Sequence, residues 1–163
     1  MRFTLHPIAE TDAREISRWR YDEPYSLYNG DPVAVPSLLD ERLAYHSVFD
    51  ENDGLVGYFC FGGDAQVPEG QRLGLYDEEV ALDVGLGMRP DLTGRGTGLE
   101  FVRAGLRFAE ERYAPAAFRL TVAAFNERAI RVYQKAGFES MTTFGGSMAS
   151  GGREWLLMIR RPR

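Results

Sequence analysis

The sequence predicts an α/β domain, a mixed sheet held between helices, and three observations carry that class. Glu79 to Met88 sets Val80, Leu82, Val84, Leu86 and Met88 in strict alternation, the period of a strand with one buried face. Beyond a glycine-rich turn, Leu99, Val102, Leu106, Ala109 and Tyr113 recur at three- and four-residue intervals, which gives a long amphipathic helix up to the break at Pro115. Strand signals and helix signals are segregated on either side of this central unit, the arrangement of a sheet flanked by helices. With 163 residues and 44% hydrophobic content, the chain can bury one sizeable core, and it is read as a single domain spanning residues 1–163.

The other elements follow in order. Arg2 to His6 reads as a short strand broken by Pro7, and Thr11-Asp12 can cap a helix that carries Ile16 and Trp19 and ends before Pro24. Tyr21 to Pro36 mixes Pro24, Gly30, Pro32 and Pro36 with Tyr25, Leu27 and Tyr28, the composition of an irregular but packed loop. Ser37 to Tyr45 reads as helical. Ser47 to Phe49 and Leu55 to Gly63 read as strands joined by Glu51-Asn52-Asp53-Gly54, whose Asp-Gly pair is a hairpin signal. Asp64 to Leu75 is expected to be a loop. Phe118 to Ala123 is a further strand, Asn126 to Ala136 a helix capped by Asn126 and stopped by Gly137, and two closing strands flank Gly145 to Gly152. No internal repeat is present.

Charge and composition exclude several classes. A net charge of −5 with basic residues scattered among acids gives no electrostatic footprint for nucleic acid. One cysteine and two histidines provide no clustered metal-ligand spacing, so no metal is expected, and Cys60 reads as a small apolar residue of its strand. No segment has the apolar length of a signal peptide or a membrane span, so no membrane partner is expected and a reducing cytoplasm fits best. A homodimer stays open.

Thr93-Gly94-Arg95-Gly96-Thr97-Gly98 is the strongest chemical signal. Alternate glycines let successive N–H groups point at one anion, the following helix adds its positive end, and Arg95 can add a charge-assisted bond, so a pyrophosphate is a natural guest. A turn that only needs flexibility remains the other reading of an isolated glycine cluster. Two competing phosphate motifs fail on spacing. A P-loop needs Gly-Lys-Ser/Thr where this turn runs Gly98-Leu99-Glu100, and the dinucleotide fingerprint needs an acidic residue that the stretch near Ala116-Ala117-Phe118 does not offer.

The chain at this point resembles the GCN5-related N-acetyltransferase (GNAT) family, whose Arg/Gln-x-x-Gly-x-Gly/Ala turn is matched as Thr93-x-x-Gly96-x-Gly98. A second family block is matched by Asn126, Ala129, Tyr133, Gly137 and Phe138, and Leu82 to Pro90 is similar to the central strand of the branch related to ribosomal-protein and small-amine acetyltransferases. The likeness covers Glu79 to Phe144; the N-terminal half matches in element order alone. Thr93 stands where the family has Arg or Gln, which puts cofactor affinity in question and leaves Arg89 or Arg95 to compensate.

The resemblance implies a mostly antiparallel sheet of six to seven strands with a central strand splayed after a bulge. It implies acetyl-CoA as cosubstrate and direct transfer to an amine acceptor, either a protein N-terminus, an amino acid or a small molecule. It places the cofactor on Leu86, Met88, Arg89, Gly94, Arg95, Gly96, Thr97, Gly98, Asn126 and Tyr133, with a backbone N–H of Leu86 to Met88 as oxyanion contact and Tyr133 as the acid that protonates the departing sulfur. Asn126 can equally be a helix cap, and Tyr133 taken alone can be a core aromatic. For the base, Glu79 and Asp83 lie four residues apart on one strand face, and a solvated acidic face is the other reading. Trp19, Tyr21, Tyr25, Tyr28 and Tyr58 can line an aromatic acceptor pocket or simply pack. A non-catalytic acyl-CoA-binding module is the alternative function.

Overall fold

The computed structural model describes residues 2–78, 80–147 and 152–162. Its elements run β1 (Phe3–Pro7), α1 (Glu10–Ile16), α2 (Val35–Leu38), β2 (Tyr45–Asp50), β3 (Gly54–Phe61), α3 (Pro68–Arg72), β4 (Ala81–Met88), α4 (Gly98–Tyr113), β5 (Ala117–Ala123), α5 (Glu127–Lys135), β6 (Glu139–Gly145) and β7 (Glu154–Arg160), with short 3-10 turns between them. Seven strands make one sheet in the order β1-β2-β3-β4-β5-β7-β6. All neighbours are antiparallel except β4 and β5.

Alternation along the strands gives the sheet two apolar faces. One takes Val48, Phe59, Val84, Phe118, Leu120 and Met158 and is covered by α4 and α5 through Phe101, Val102, Leu106 and Tyr133. The other carries Leu55 and Tyr58 and is covered by α1 and its following loop through Ala13, Ile16 and Trp19. Phe59 and Phe101 stack with centroids 4.9 Å apart, each ring fully buried and each contributing about 1.5–3 kcal/mol of burial free energy.

Four local expectations are revised, each for a physical reason. Pro7 is the last residue of β1 rather than the one that follows it, because β1 is an edge strand, where a missing N–H costs no ladder bond. The first helix stops at Ile16: Ser17 Oγ donates back to the Arg14 carbonyl at 2.7 Å, and Trp19, beyond the helix, accepts from Gly30 N–H at 3.0 Å to close a loop. The helix expected over Ser37 to Tyr45 is only Val35–Leu38, since Ala44 takes φ 52° and Tyr45 already pairs with Cys60. The stretch Asp64 to Leu75 contains α3, begun by Pro68 in the first turn, where its missing N–H has no helical partner to lose.

The feature that positions the site is the parting of β4 from β5. Their ladder runs Ala81–Ala117, Leu82–Phe118 and Asp83–Arg119 and ends there, while β4 stays paired with β3 as far as Met88 and β5 with β7 as far as Ala123. A V-shaped gap therefore opens from Asp83–Arg119 towards the C-terminal ends of both strands. The bulge expected at this splay is absent: β4 keeps an unbroken register with β3, and the register shifts of the sheet fall at Val48/Phe49 and Ser140/Thr142.

Candidate active site

Gly62 N–H donates to the Asp83 carbonyl at 2.9 Å and Arg89 N–H to the Val56 carbonyl at 2.8 Å, which fixes the phase of the β3–β4 ladder. In antiparallel pairing the bonded residues alternate, so Asp83, Gly85, Gly87 and Arg89 bond towards β3 while Leu86 and Met88 turn their N–H and C=O groups into the gap. The Met88 carbonyl accepts from the Tyr21 hydroxyl at 2.6 Å. Gly87 sits against Tyr58, and a Cβ there would lie 2.4 Å from its ring. Glycine at that place lets the Tyr58 ring press directly on the strand.

A cavity of about 470 Å3 follows the gap. One wall is the backbone of Gly85 to Met88, the opposite wall Leu120, Thr121 and Val122 of β5. At one end it meets Thr93, Gly94, Gly96 and Gly98. Gly94 and Gly96 take φ 72° and 82°, conformations that a side chain disfavours, and these bring the chain round to the start of α4. Thr97 at the N-cap makes no side-chain cap, so the first-turn N–H groups of α4 receive none from it. Glycine backbone and a helix start together suit an anion.

Thr93 does not replace an anion-binding arginine. Its hydroxyl donates back to the Pro90 carbonyl at 2.8 Å. Arg89, expected as a cofactor residue, is turned the other way: Nη1 donates to the carbonyls of Asp53 and Leu55 at 2.8 and 2.9 Å and Nε to Asp91 at 2.7 Å, so it braces the β2–β3 hairpin. Arg95 is exposed on the turn. The cation that does adjoin the glycines is Arg128, whose Nη1 lies 3.2 Å from where a Gly94 Cβ would stand and whose guanidinium covers the Tyr25 ring at 4.5 Å. Lys135 also lines the cavity. Sequence reasoning passed over both; the available signal was their place on the helix that begins at Asn126, beside the glycine turn.

Asn126 is a cap: Oδ1 accepts from Ala129 N–H at 3.2 Å, and Nδ2 donates to the Tyr28 hydroxyl at 3.2 Å. Tyr133 lines the cavity beside it. Burial, reinforced by nearby Tyr28 and Tyr58, holds the Tyr133 phenol well above its usual pKa, so it is protonated at neutral pH. No hydrogen bond from its hydroxyl occurs among the described residues. Tyr21, Tyr25, Tyr28 and Tyr58 also line the cavity, whereas Trp19 packs behind Tyr58 with centroids 6.3 Å apart.

The carboxylate expected as base is a correction. Asp83 is buried at the closed end of the V, where Arg119 Nε and Nη2 bind both its oxygens at 2.6 and 2.8 Å and Gln66 Nε2 adds a third bond at 2.8 Å. A carboxylate so held is structural. Glu79, the other candidate, lies outside the described residues. His46 packs on Phe108 and bonds the Ala44 carbonyl, away from the cavity. Burial pushes the Cys60 thiol up to about 12, which leaves it inert as a nucleophile at neutral pH. Among the described residues, no helix is long and apolar enough to cross a membrane, and no group of three or more His, Cys, Asp or Glu could hold a metal ion.

Comparison with known proteins adds the family. Residues 2–139 match the model of the acetyltransferase (GNAT) domain. Similar solved structures include a spermidine N-acetyltransferase SpeG chimera from Vibrio cholerae and hSSAT, 16% identical over 99% of this chain and 96% of that one, TM-score 0.72. They also include AAC(6')-Ib in complex with paromomycin and acetyl-CoA, 18% identical over 98% and 93%, TM-score 0.68. A third is the ribosomal-protein-S5-alanine acetyltransferase from Vibrio fischeri, 15% identical over 98% and 92%, TM-score 0.63. No curated protein sequence matches. These identities speak for the fold alone, while the domain match covers most of the sequence: the chain belongs to the GNAT family of acetyl-CoA-dependent acyltransferases.

Proposed function

We propose that the protein moves the acetyl group of acetyl-CoA to a primary amine by direct attack, and the gap between β4 and β5 is the observation that carries this reading. It offers unpaired strand backbone on one wall, an anion-suited turn at one end and a protonated tyrosine beside it. Acetyl-CoA supplies an activated thioester; the amine nitrogen forms the new bond to the acetyl carbon as the bond from that carbon to sulfur breaks. The Gly94–Gly98 turn, the start of α4, Arg128 and Lys135 are the groups proposed for its phosphates. Leu86 and Met88 offer N–H donors to an oxygen that gains charge, the Met88 carbonyl being already held by Tyr21.

Tyr133 is proposed as the proton donor to the departing sulfur. The proton lost by the amine has no carboxylate or histidine to meet among the described lining residues. Glu79 is the carboxylate still proposed for that role, through water. An α-amine of pKa near 8 needs only about 1 kcal/mol to be neutral at pH 7, a lysine of pKa near 10.4 about 4.6 kcal/mol, so weakly basic amines need less help.

Calorimetric titration with acetyl-CoA, followed by coenzyme A release over an amine panel, tests this. A hundredfold excess of acetyl-CoA over its dissociation constant is expected to stabilise the fold by about 2.7 kcal/mol. Binding with no turnover on any amine turns the reading into a cofactor sensor; no binding removes it.

A further inference from the structure

The acceptor half of the cavity is built from tyrosine. Tyr21 and Tyr28 meet edge to face at 6.5 Å, Tyr25 lies against Phe125 at 5.9 Å, and Tyr58 closes the floor over Gly87. The hydroxyls of Tyr21 and Tyr28 are already bonded, to the Met88 carbonyl and to Asn126, so ring faces and edges are what they present to a guest. Among the described residues no carboxylate lines this cavity, although the chain carries 24 Asp and Glu and a net charge of −5. Two carboxylates near it are closed off: Asp83 by Arg119 and Gln66, Asp64 by the Tyr45 hydroxyl. The charged groups that do line it, Arg128 and Lys135, are cationic.

A second or third ammonium on an acceptor would enter this space with no carboxylate of the described lining to pair it, and would lose part of its hydration there. One ammonium is a different matter, since tyrosine faces attract a single cation and stack on an aromatic ring. We infer that the acceptor is a primary monoamine with an aromatic or bulky apolar body, and that polyamines and aminoglycosides are rejected. The inference rests on the transfer reading above and adds the substrate class to it. Tyr25, on a 3-10 turn of the covering loop and held under Arg128, is the specificity residue.

The test is steady-state coenzyme A release with 2-phenylethylamine, n-butylamine, spermidine and kanamycin, on the same preparation in which acetyl-CoA binding has been measured by calorimetry. The expected result is kcat/KM highest for 2-phenylethylamine, about tenfold or more above spermidine and above n-butylamine. Tyr25→Ala is expected to raise KM for 2-phenylethylamine several-fold more than KM for n-butylamine, with kcat nearly kept; Tyr25→Phe is expected to restore the difference. Preference for spermidine or kanamycin overturns the class, as does equal use of all four amines. Absence of turnover on every amine overturns it too, and the calorimetry then shows whether the cofactor reading has fallen with it.

Discussion

β4 and β5 are the same two strands at both ends of the V, yet their polar groups are treated in opposite ways. At the closed end, Asp83 and Arg119 face each other across the last ladder pair, and every oxygen of the carboxylate is met, while Arg119 also donates to the Tyr76 and Glu78 carbonyls at 3.3 and 3.2 Å. At the open end, the N–H groups of Leu86 and Met88 turn into the cavity with no strand opposite. Saturating one end is what allows the other to stay unsaturated: the strands are pinned at a point, and the ladder beyond it can part without the sheet coming apart. Structural and chemical roles thus sit a few residues apart on one strand.

The largest expected effect breaks the closed end. Arg119→Ala leaves the buried Asp83 carboxylate without its counter-ion and should cost about 3–5 kcal/mol in urea unfolding. Asp83→Leu combined with Arg119→Met removes both charges and should recover most of that loss. The activity of the double variant sharpens the comparison. If the pair sets where the strands part, the double variant folds but loses kcat/KM; full activity would mean that the helices hold the gap open instead.

At the open end the corresponding change is Tyr133→Phe, which keeps the ring in its core contacts and deletes one hydroxyl. Turnover should fall about a hundredfold while the dissociation constant for acetyl-CoA stays near its original value. Equal turnover would reduce Tyr133 to a core aromatic. The tyrosines of the cavity also set a pH dependence. Burial raises the pKa of Tyr21, Tyr28, Tyr58 and Tyr133 in the folded protein. Above about pH 10 the unfolded chain therefore releases protons that the folded chain keeps, and stability must fall as pH rises. Urea unfolding between pH 8 and 11 should show it, with a shallower fall in Tyr133→Phe; a flat profile would mean that these hydroxyls are well solvated.

What the sequence discloses divides along the same line between local and distant contacts. The alternation of β4, the turn, the periodicity of α4 and the Asn126 cap are each written within a few consecutive residues, and each is found within a residue or two of where the pattern puts it. Asp83 was misread because its partner is 36 positions away: spacing shows which face a carboxylate is on, not that an arginine of the next strand closes over it. Arg128 was passed over because its nearness to Gly94 exists only once α5 has packed beside the turn. The early end of α1 likewise depends on a contact between Trp19 and Gly30 that no periodicity records.

The turn itself offers the finest version of the contrast, and the smallest expected effect. Its glycines look equivalent in sequence, but Gly96 takes φ 82° whereas Gly98 is the first residue of α4, with ordinary helical backbone and a Cβ position 3.4 Å from Val132 Cγ2. Gly96→Ala must hold a side chain in a left-handed conformation and should cost about 1–2 kcal/mol, with weaker acetyl-CoA binding as the turn relaxes. Gly98→Ala meets only van der Waals contact and gains helix propensity, so its unfolding free energy should change by less than about 1 kcal/mol. Binding separates backbone shape from backbone access. If Gly98→Ala folds normally yet binds acetyl-CoA as weakly as Gly96→Ala, then the cofactor passes so close to α4 that a methyl group obstructs it, and glycine is needed there for approach rather than for conformation.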